Sequence, residues 1–218
     1  MKKLLLIISL LFCAGYSFGQ QLAANAGITL HAYRNFQDDQ MVSYIAGPVT
    51  FSSVKPSDVH LIADQTDLGR IYAGEYVNYK WYALITTPGT QSGVEGLAEV
   101  DILTGERKLI ATSNESKHLT DMTYDYTTGT MYGIASSAEK LATINLKTSA
   151  VSLIETFKDL EENPVYALAL ACDLNGSLYM ISTSDTLYQV NKKNALCTPI
   201  GYTGADAAFT QTMAFDHN

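Results

Sequence analysis

The sequence of 218 residues predicts an all-β fold built from repeated four-stranded antiparallel sheets. Residues 119–134 are similar in sequence to residues 166–181. Each segment has the pattern of two short alternating strands joined by a turn. The third-strand leucines Leu97, Leu141 and Leu187 lie 44 and 46 residues apart, so the unit recurs at a steady spacing. The sequence shows no 3.6-residue apolar period over the length that a helix needs.

A repeat of about 40–45 residues is typical of one blade of a β-propeller. One four-stranded sheet cannot bury both of its faces, so neighbouring sheets must stack against each other. Radial stacking about a central channel achieves this and leaves only short strand edges exposed. The sequence therefore predicts a β-propeller of four-stranded antiparallel blades. About four blades are present, either as a whole ring or as part of a longer propeller.

The amino terminus has the pattern of a secretory signal peptide over residues 1–19. Lys2 and Lys3 precede an apolar run over residues 4–12, and the small residues Ser17 and Gly19 follow it. This run is too short to span a bilayer as a helix. We expect cleavage near Gly19 and a mature chain that is secreted, periplasmic or at the cell surface, with no membrane span.

Composition excludes several classes of partner and cofactor. The formal net charge is −8 and there is no basic cluster, which argues against nucleic acid as a partner. Cys172 and Cys197 fall on the innermost and outermost strands of one unit, too far apart to bridge, so we expect buried free thiols. The Cys and His spacings of zinc or redox sites do not occur, and we expect no cofactor and no metal.

The units follow one another along the chain after the signal peptide. Their approximate bounds in the predicted propeller, residues 20–218, are 28–63, 68–112, 119–156, 165–202 and 211–218. The first unit supplies three strands that match the second, third and fourth strands of later units, and the last supplies a first strand alone. This strand either completes the first unit and closes a four-bladed ring, or begins a further blade; we favour a truncated longer propeller.

Each complete unit begins with the strand predicted to lie innermost. These strands are Arg70–Tyr76, Leu119–Tyr126 and Val165–Asp173. A tyrosine recurs at one place in the second strand, and we expect these rings to fill the space between blades, because large rings suit packing between sheets. The tyrosines are Tyr82, Tyr132 and Tyr179. Trp81 could anchor a ligand, but a buried role between blades is the interpretation we favour.

Three sequence segments resemble those of a known group of proteins. Met122-Thr-Tyr-Asp-Tyr-Thr-Thr-Gly-Thr-Met-Tyr132, Leu187-Tyr-Gln-Val-Asn-Lys-Lys193 and Gln211-Thr-Met-Ala-Phe-Asp-His-Asn218 resemble secreted β-propeller repeat proteins of Bacteroidetes-type bacteria. The resemblance covers about residues 60–218. It implies a β-propeller fold and export, and it assigns no activity. In such proteins the Asp-His-Asn phrase is followed by Thr-Gly and another strand, which implies a truncated chain.

Aspartates recur where the inner strand ends, at Asp125, Asp173 and Asp216. One hypothesis makes them metal or substrate carboxylates around the channel. The other, which we favour, is that each caps a tight turn by accepting hydrogen bonds from backbone amides. The closely spaced acids of a calcium loop are absent. His118 and His217 could approach the channel mouth, but a general base also needs a positioned partner.

Two classes of function remain open from the sequence. The first is a non-catalytic binding or scaffold module that presents the loops at 87–95, 113–118, 157–164 and 203–210 to a protein or glycan partner. The second is a propeller lyase or glycan hydrolase, whose candidate catalytic residues are Asp125, Asp173, His118 and His217. A third possibility is an incomplete fragment without independent function. We favour the binding module, since no catalytic motif such as Gly-x-Ser-x-Gly occurs.

Overall fold

The computed structural model describes residues 27–37, 44–69, 71–86, 94–112, 119–135, 139–204 and 212–215. It confirms the predicted fold class: the chain is an all-β propeller of four antiparallel blades. The predicted signal peptide, His118, His217 and the loop at 113–118 lie outside the described residues. Of the other predicted loops, 157–164 is described in full, while 87–95 and 203–210 are described only in part.

Each blade is a sheet whose strands pair in chain order. Blades 1 and 2 consist of β1 (Thr29–Gln37), β2 (Tyr44–Ser52) and β3 (Lys55–Leu61), then β4 (Ile71–Val77), β5 (Lys80–Thr86), β6 (Val94–Val100) and β7 (Arg107–Thr112). Blade 3 consists of β8 (Leu119–Asp125), β9 (Thr130–Ala135), β10 (Lys140–Ile144) and β11 (Val151–Thr156). Blade 4 consists of β12 (Ala167–Cys172), β13 (Leu178–Ser182), β14 (Thr186–Val190) and β15 (Cys197–Tyr202).

The first strands of blades 2, 3 and 4 lie side by side at the centre, as the repeat predicted. β8 contacts β4 on one side and β12 on the other. Blade 1 has three strands in the described residues, with β1 at its edge. The predicted terminal strand at 211–218 is described only over residues 212–215, which lie in no strand. There the Phe215 ring lies 5.2 Å from the ring of Tyr179 in blade 4.

Side chains of the inner strands bond to backbone amides of the next inner strand. A Glu75 carboxylate oxygen accepts a hydrogen bond from Tyr124 N at 3.3 Å. One repeat later, Thr123 Oγ1 accepts from Cys172 N at 3.0 Å. These contacts satisfy amides that face the neighbouring blade, where no ladder partner is present.

The apolar core lies between the blades. Between blades 2 and 3, the largest fully buried side chains are Leu84, Leu97, Leu119, Met122 and Met131. Between blades 3 and 4, they include Ile134, Leu141, Phe157, Leu170, Leu178 and Met180. Each inner face is apolar because alternate strand residues point to the same side. Burial between blades thus holds the fold together, as the stacking argument required.

Two further sequence predictions can be compared with the structure. Cys172 ends β12 and Cys197 begins β15, and both are buried free thiols. Burial raises the pKa of Cys172 to about 11 and that of Cys197 to about 12, so both thiols stay protonated at neutral pH. Within the described ranges, no helix is long and apolar enough to cross a membrane.

Candidate functional site

One position in the second strand of each blade faces the following blade. Counted inward along paired residues from the residue before each outer-strand leucine, this position is His31 in blade 1, Tyr82 in blade 2 and Tyr132 in blade 3. Tyr179 holds it in blade 4. Blade 1 therefore carries an imidazole where the other blades carry a phenol ring.

At the later junctions, the tyrosine at this position is packed into the core. Tyr82 belongs to the cluster between blades 2 and 3, together with Tyr124, Met131 and Leu146. Tyr132 is 8% exposed and belongs to the cluster between blades 3 and 4. The prediction that these two rings fill the space between blades is therefore confirmed.

At the junction of blades 1 and 2, the same position borders a cavity. Its volume is about 270 Å³, and it is lined by His31, Tyr76, Trp81 and Ile102. The last three residues are the blade 2 counterparts of Tyr124, Met131 and Leu146. We call these four residues and the cavity the aromatic cleft. A histidine stands here where the later blades carry a larger tyrosine, and blade 1 has three strands in the described residues.

Trp81 is held in place from two sides. A Cβ atom on Gly74 would lie 2.5 Å from Trp81 Nε1, so the absence of a side chain there lets the indole lie against β4. On the other side, the Tyr33 ring lies 5.9 Å from the Trp81 ring. Arg107 stacks over Tyr33 at 5.4 Å and donates a hydrogen bond to its hydroxyl. Trp81 therefore packs between blades, as expected, and also forms one wall of the cleft.

The β4–β5 hairpin carries exposed tyrosines, one of which lines the cleft. Tyr76 is 42% exposed and Tyr79, at the tip of the β4–β5 hairpin, is 92% exposed. The Tyr126 hydroxyl donates a hydrogen bond to Tyr76 O at 2.9 Å, which ties this rim to blade 3. The Tyr126 ring also meets Tyr124 edge to face, with ring centroids 5.0 Å apart. These contacts fix one wall of the rim, while the ring of Tyr79 is exposed to solvent.

Asp125, a candidate catalytic residue, lies in the junction between blades 3 and 4. Its side chain is fully buried, and Oδ2 accepts a hydrogen bond from Lys192 Nζ at 2.6 Å. Oδ1 accepts from the Thr127 amide and hydroxyl, and Oδ2 also accepts from the Thr128 hydroxyl. Lys192 Nζ donates in addition to Gly176 O in blade 4. This carboxylate thus caps its turn, as the favoured hypothesis predicted, and also joins two blades.

The surroundings of Asp125 set its charge. Burial alone would raise its pKa, but the hydrogen bonds from Lys192, Thr127 and Thr128 outweigh burial and hold the pKa well below its ordinary value. Asp125 is therefore ionised at neutral pH. Sequence reasoning missed Lys192 because it lies 67 residues along the chain from its partner.

Asp173 holds the equivalent turn of blade 4. Its Oδ1 accepts hydrogen bonds from the amides of Asn175 at 2.9 Å and Ser177 at 2.8 Å. This is again the turn-capping arrangement. The other two candidates, His118 and His217, lie outside the described residues. Among the described residues, no group of three His, Cys, Asp or Glu is placed to hold a metal ion.

Asp121 is a second buried acid that the sequence did not single out. It lies in β8, and its oxygens accept hydrogen bonds from Leu170 N at 2.7 Å and Met122 N at 3.0 Å. Burial raises its pKa to about 7, and the nearby Glu75 carboxylate adds to the rise. One inner strand therefore carries two buried carboxyls whose pKa values move in opposite directions.

Comparison with known proteins identifies the fold. No protein-family model matches the sequence, and the search of curated proteins gives no match. A solved structure of a protein of unknown function from Bacteroides thetaiotaomicron VPI-5482 is similar, with 12% identity and a TM-score of 0.52. The match covers 74% of this chain and 42% of that one, so this chain spans less than half of that neighbour.

Two further solved structures are similar to a comparable degree. Myxococcus xanthus glutaminyl cyclase is 14% identical with a TM-score of 0.54, over 80% of this chain and 77% of that one. A chain of the nidogen/laminin complex is 8% identical with a TM-score of 0.53, over 81% of this chain and 63% of that one. The neighbours include both an enzyme and a protein complex, so the likeness identifies this chain as a β-propeller and assigns no activity.

Proposed function

We propose that this chain is a non-catalytic binding module that takes a protein partner at the aromatic cleft. The observation that carries the proposal is a preformed cavity of about 270 Å³ with apolar walls beside exposed tyrosines. Binding sites are concave, largely apolar and furnished with few polar groups. Tyrosine and tryptophan are also the residues most enriched where protein partners are held tightly.

The lining of the cleft favours a protein group over a sugar. Among the described lining residues, the polar side-chain groups are the His31 imidazole, the Tyr76 hydroxyl and the Trp81 indole N–H. A buried sugar ring carries several hydroxyls, and each one left without a hydrogen bond weakens binding. An apolar or aromatic side chain has no such requirement.

The buried acids support a binding role rather than hydrolysis. Both oxygens of Asp125 already accept hydrogen bonds, and its side chain is fully buried. Asp173 is likewise engaged by the amides of its own turn. In keeping with the predicted signal peptide, we propose that the partner is met outside the cytoplasm.

Binding to arrays of peptides and of neutral oligosaccharides tests this proposal. We expect the protein to bind a subset of the peptides, and Tyr79→Ser to weaken that binding about tenfold, the effect of a moderate contact residue. Tyr202→Ser is the matched control, because Tyr202 is 70% exposed on the outermost strand of blade 4. Binding confined to oligosaccharides, or equal loss in both variants, would contradict the proposal.

A further inference from the structure

The aromatic cleft occupies space that a tyrosine ring fills in the rest of the propeller. Between blades 2 and 3, the ring of Tyr82 packs in one cluster with Tyr124, Met131 and Leu146. Between blades 1 and 2, the counterparts of the last three residues surround a cavity, and His31 stands in place of the tyrosine. The equivalent position thus holds a buried tyrosine ring at one junction and borders an open cavity at the other.

We infer that the aromatic cleft receives a tyrosine side chain of the protein partner. This inference rests on the proposed function and names the group that the site accepts. The Tyr76 and Trp81 rings provide faces and edges against which a planar ring packs better than a branched aliphatic chain. His31 reaches the cavity from the blade 1 side, and an imidazole can donate to or accept from a phenol hydroxyl.

The size and accessibility of the cleft agree with this ligand. An apolar cavity of about 150 Å³ is sufficient to bind benzene. The cleft, at about 270 Å³, can therefore hold a phenol ring and the first atoms that join it to a backbone. His31 is exposed, and Tyr76 is 42% exposed, so a side chain can enter from solvent.

Fluorescence gives a direct readout, because Trp81 is the single tryptophan of the chain and lines the cleft. The probes are p-cresol, N-acetyltyrosinamide, N-acetylleucinamide and methyl glucoside, titrated into the full chain. We expect a saturable change in Trp81 emission with the two phenols, a much weaker one with the leucine derivative and none with the glucoside. The phenols should also raise the Tm of the protein, since they bind the folded state.

The variant His31→Tyr restores the residue that the other blades use. We expect the larger ring to occupy part of the cleft, weaken the response to p-cresol and raise Tm by about 2–4 °C, the effect of a moderate cavity-filling change in a domain of this size. The control is His60→Tyr, the same change on the exposed strand β3, which should leave p-cresol binding unchanged.

Three results would overturn the inference: no saturable response to p-cresol, an equal response to the leucine derivative, or full p-cresol binding by His31→Tyr. Should His31→Tyr not fold, the comparison of phenols with the leucine derivative on the unaltered protein still decides. If p-cresol does not bind but Tyr79→Ser still weakens peptide binding, this inference fails and the proposed function stands. If p-cresol binds but no peptide does, the proposed function fails.

Discussion

Two junctions of the propeller differ in how closely they are packed: the one between blades 3 and 4 and the one between blades 1 and 2. In the first, both blades contribute buried side chains, among them Ile134 and Leu141 facing Leu170 and Met180. In the second, the described apolar cluster consists of buried blade 2 residues, and blade 1 adds the partly buried Tyr33. The first junction also holds a buried ion pair, whereas the second encloses the aromatic cleft.

This difference separates the part of the propeller that provides stability from the part available for binding. A filled junction with satisfied polar groups leaves little room for a ligand. A junction with a preformed cavity gives up some contact between blades and presents apolar walls to a partner. Substitutions at the two junctions and a pH titration test this contrast.

The largest effect is expected from the ion pair. Lys192→Met leaves the Asp125 carboxylate buried without its cation, and loss of one partner of a buried pair costs about 3–5 kcal/mol. Because 26% of the Lys192 side chain is exposed, we expect the lower end of that range. Urea unfolding measures it. Lys193→Met, at the exposed neighbouring position, is the control and should cost less than about 0.5 kcal/mol.

A comparable effect is expected from the pH dependence of Asp121. The folded state keeps this proton up to about pH 7, while the unfolded chain releases it near 3.8. Between these values the folded state binds more protons, so the free energy of unfolding should fall as pH rises, by up to about 4 kcal/mol. Unfolding measured from pH 4 to 8 should show this slope, and Asp121→Asn should remove it. An unchanged slope in that variant would contradict the assignment.

A smaller effect is expected in the difference between two isoleucine truncations, one at each junction, of about 2 kcal/mol. Ile134 is fully buried between blades 3 and 4, and Ile85 is 6% exposed between blades 1 and 2. We expect Ile134→Ala to cost about 4 kcal/mol and Ile85→Ala about 2, within the range for such truncations. The difference reflects the smaller apolar cluster at the junction of blades 1 and 2. Equal losses in thermal or urea unfolding would mean that the junctions are equally well packed.

The smallest effect concerns the hairpin between the third and fourth strands. Its fifth residue has a positive φ in three blades: Gly105 at 77°, Ser149 at 62° and Ala195 at 54°. The Ser149 hydroxyl is buried and has no hydrogen-bond partner within the described part of the chain. Ser149→Gly should therefore raise the free energy of unfolding by about 1 kcal/mol, as relief of a left-handed conformation.

Ala195→Gly is the matched comparison for that change. It relieves the same backbone strain but removes a methyl group that is fully buried between blades 3 and 4. The loss of about one buried methyl, near 0.8 kcal/mol, should offset most of the gain. If both variants gain equally, burial at this junction contributes less than the packing indicates.

The repeat allowed the fold to be predicted, because strand spacing and turn residues are local properties of a sequence. The recurring Leu97, Leu141 and Leu187 marked the third strands, and the phrases beginning near Leu119 and Tyr166 marked the inner strands. The alternation of apolar residues then required stacked sheets. These signals do not depend on which side chain of one blade meets which side chain of the next.

The candidate site depends on which side chains of neighbouring blades meet. Sequence patterns do not show this, so the site was missed. Asp125 stood out as a repeated acid, but its cation Lys192 belongs to another blade. The cleft follows from His31 standing where Tyr82 and Tyr132 stand, and this became apparent only from the strand register. The sequence offers part of this signal, since the first unit matches later units at Leu61, but the step from the preceding His60 through Thr50 to His31 needs the strand pairing.

The polar contacts between inner strands have a further consequence for the order in which the propeller comes apart. Glu75 and Thr123 each accept a hydrogen bond from an amide of the next inner strand. The corresponding residue of blade 4 is Ala171, which has no polar side chain. Beyond blade 4, the described residues show an apolar contact between the rings of Phe215 and Tyr179. We expect this contact, which no such hydrogen bond from β12 supports, to be the first to separate under tension or heat.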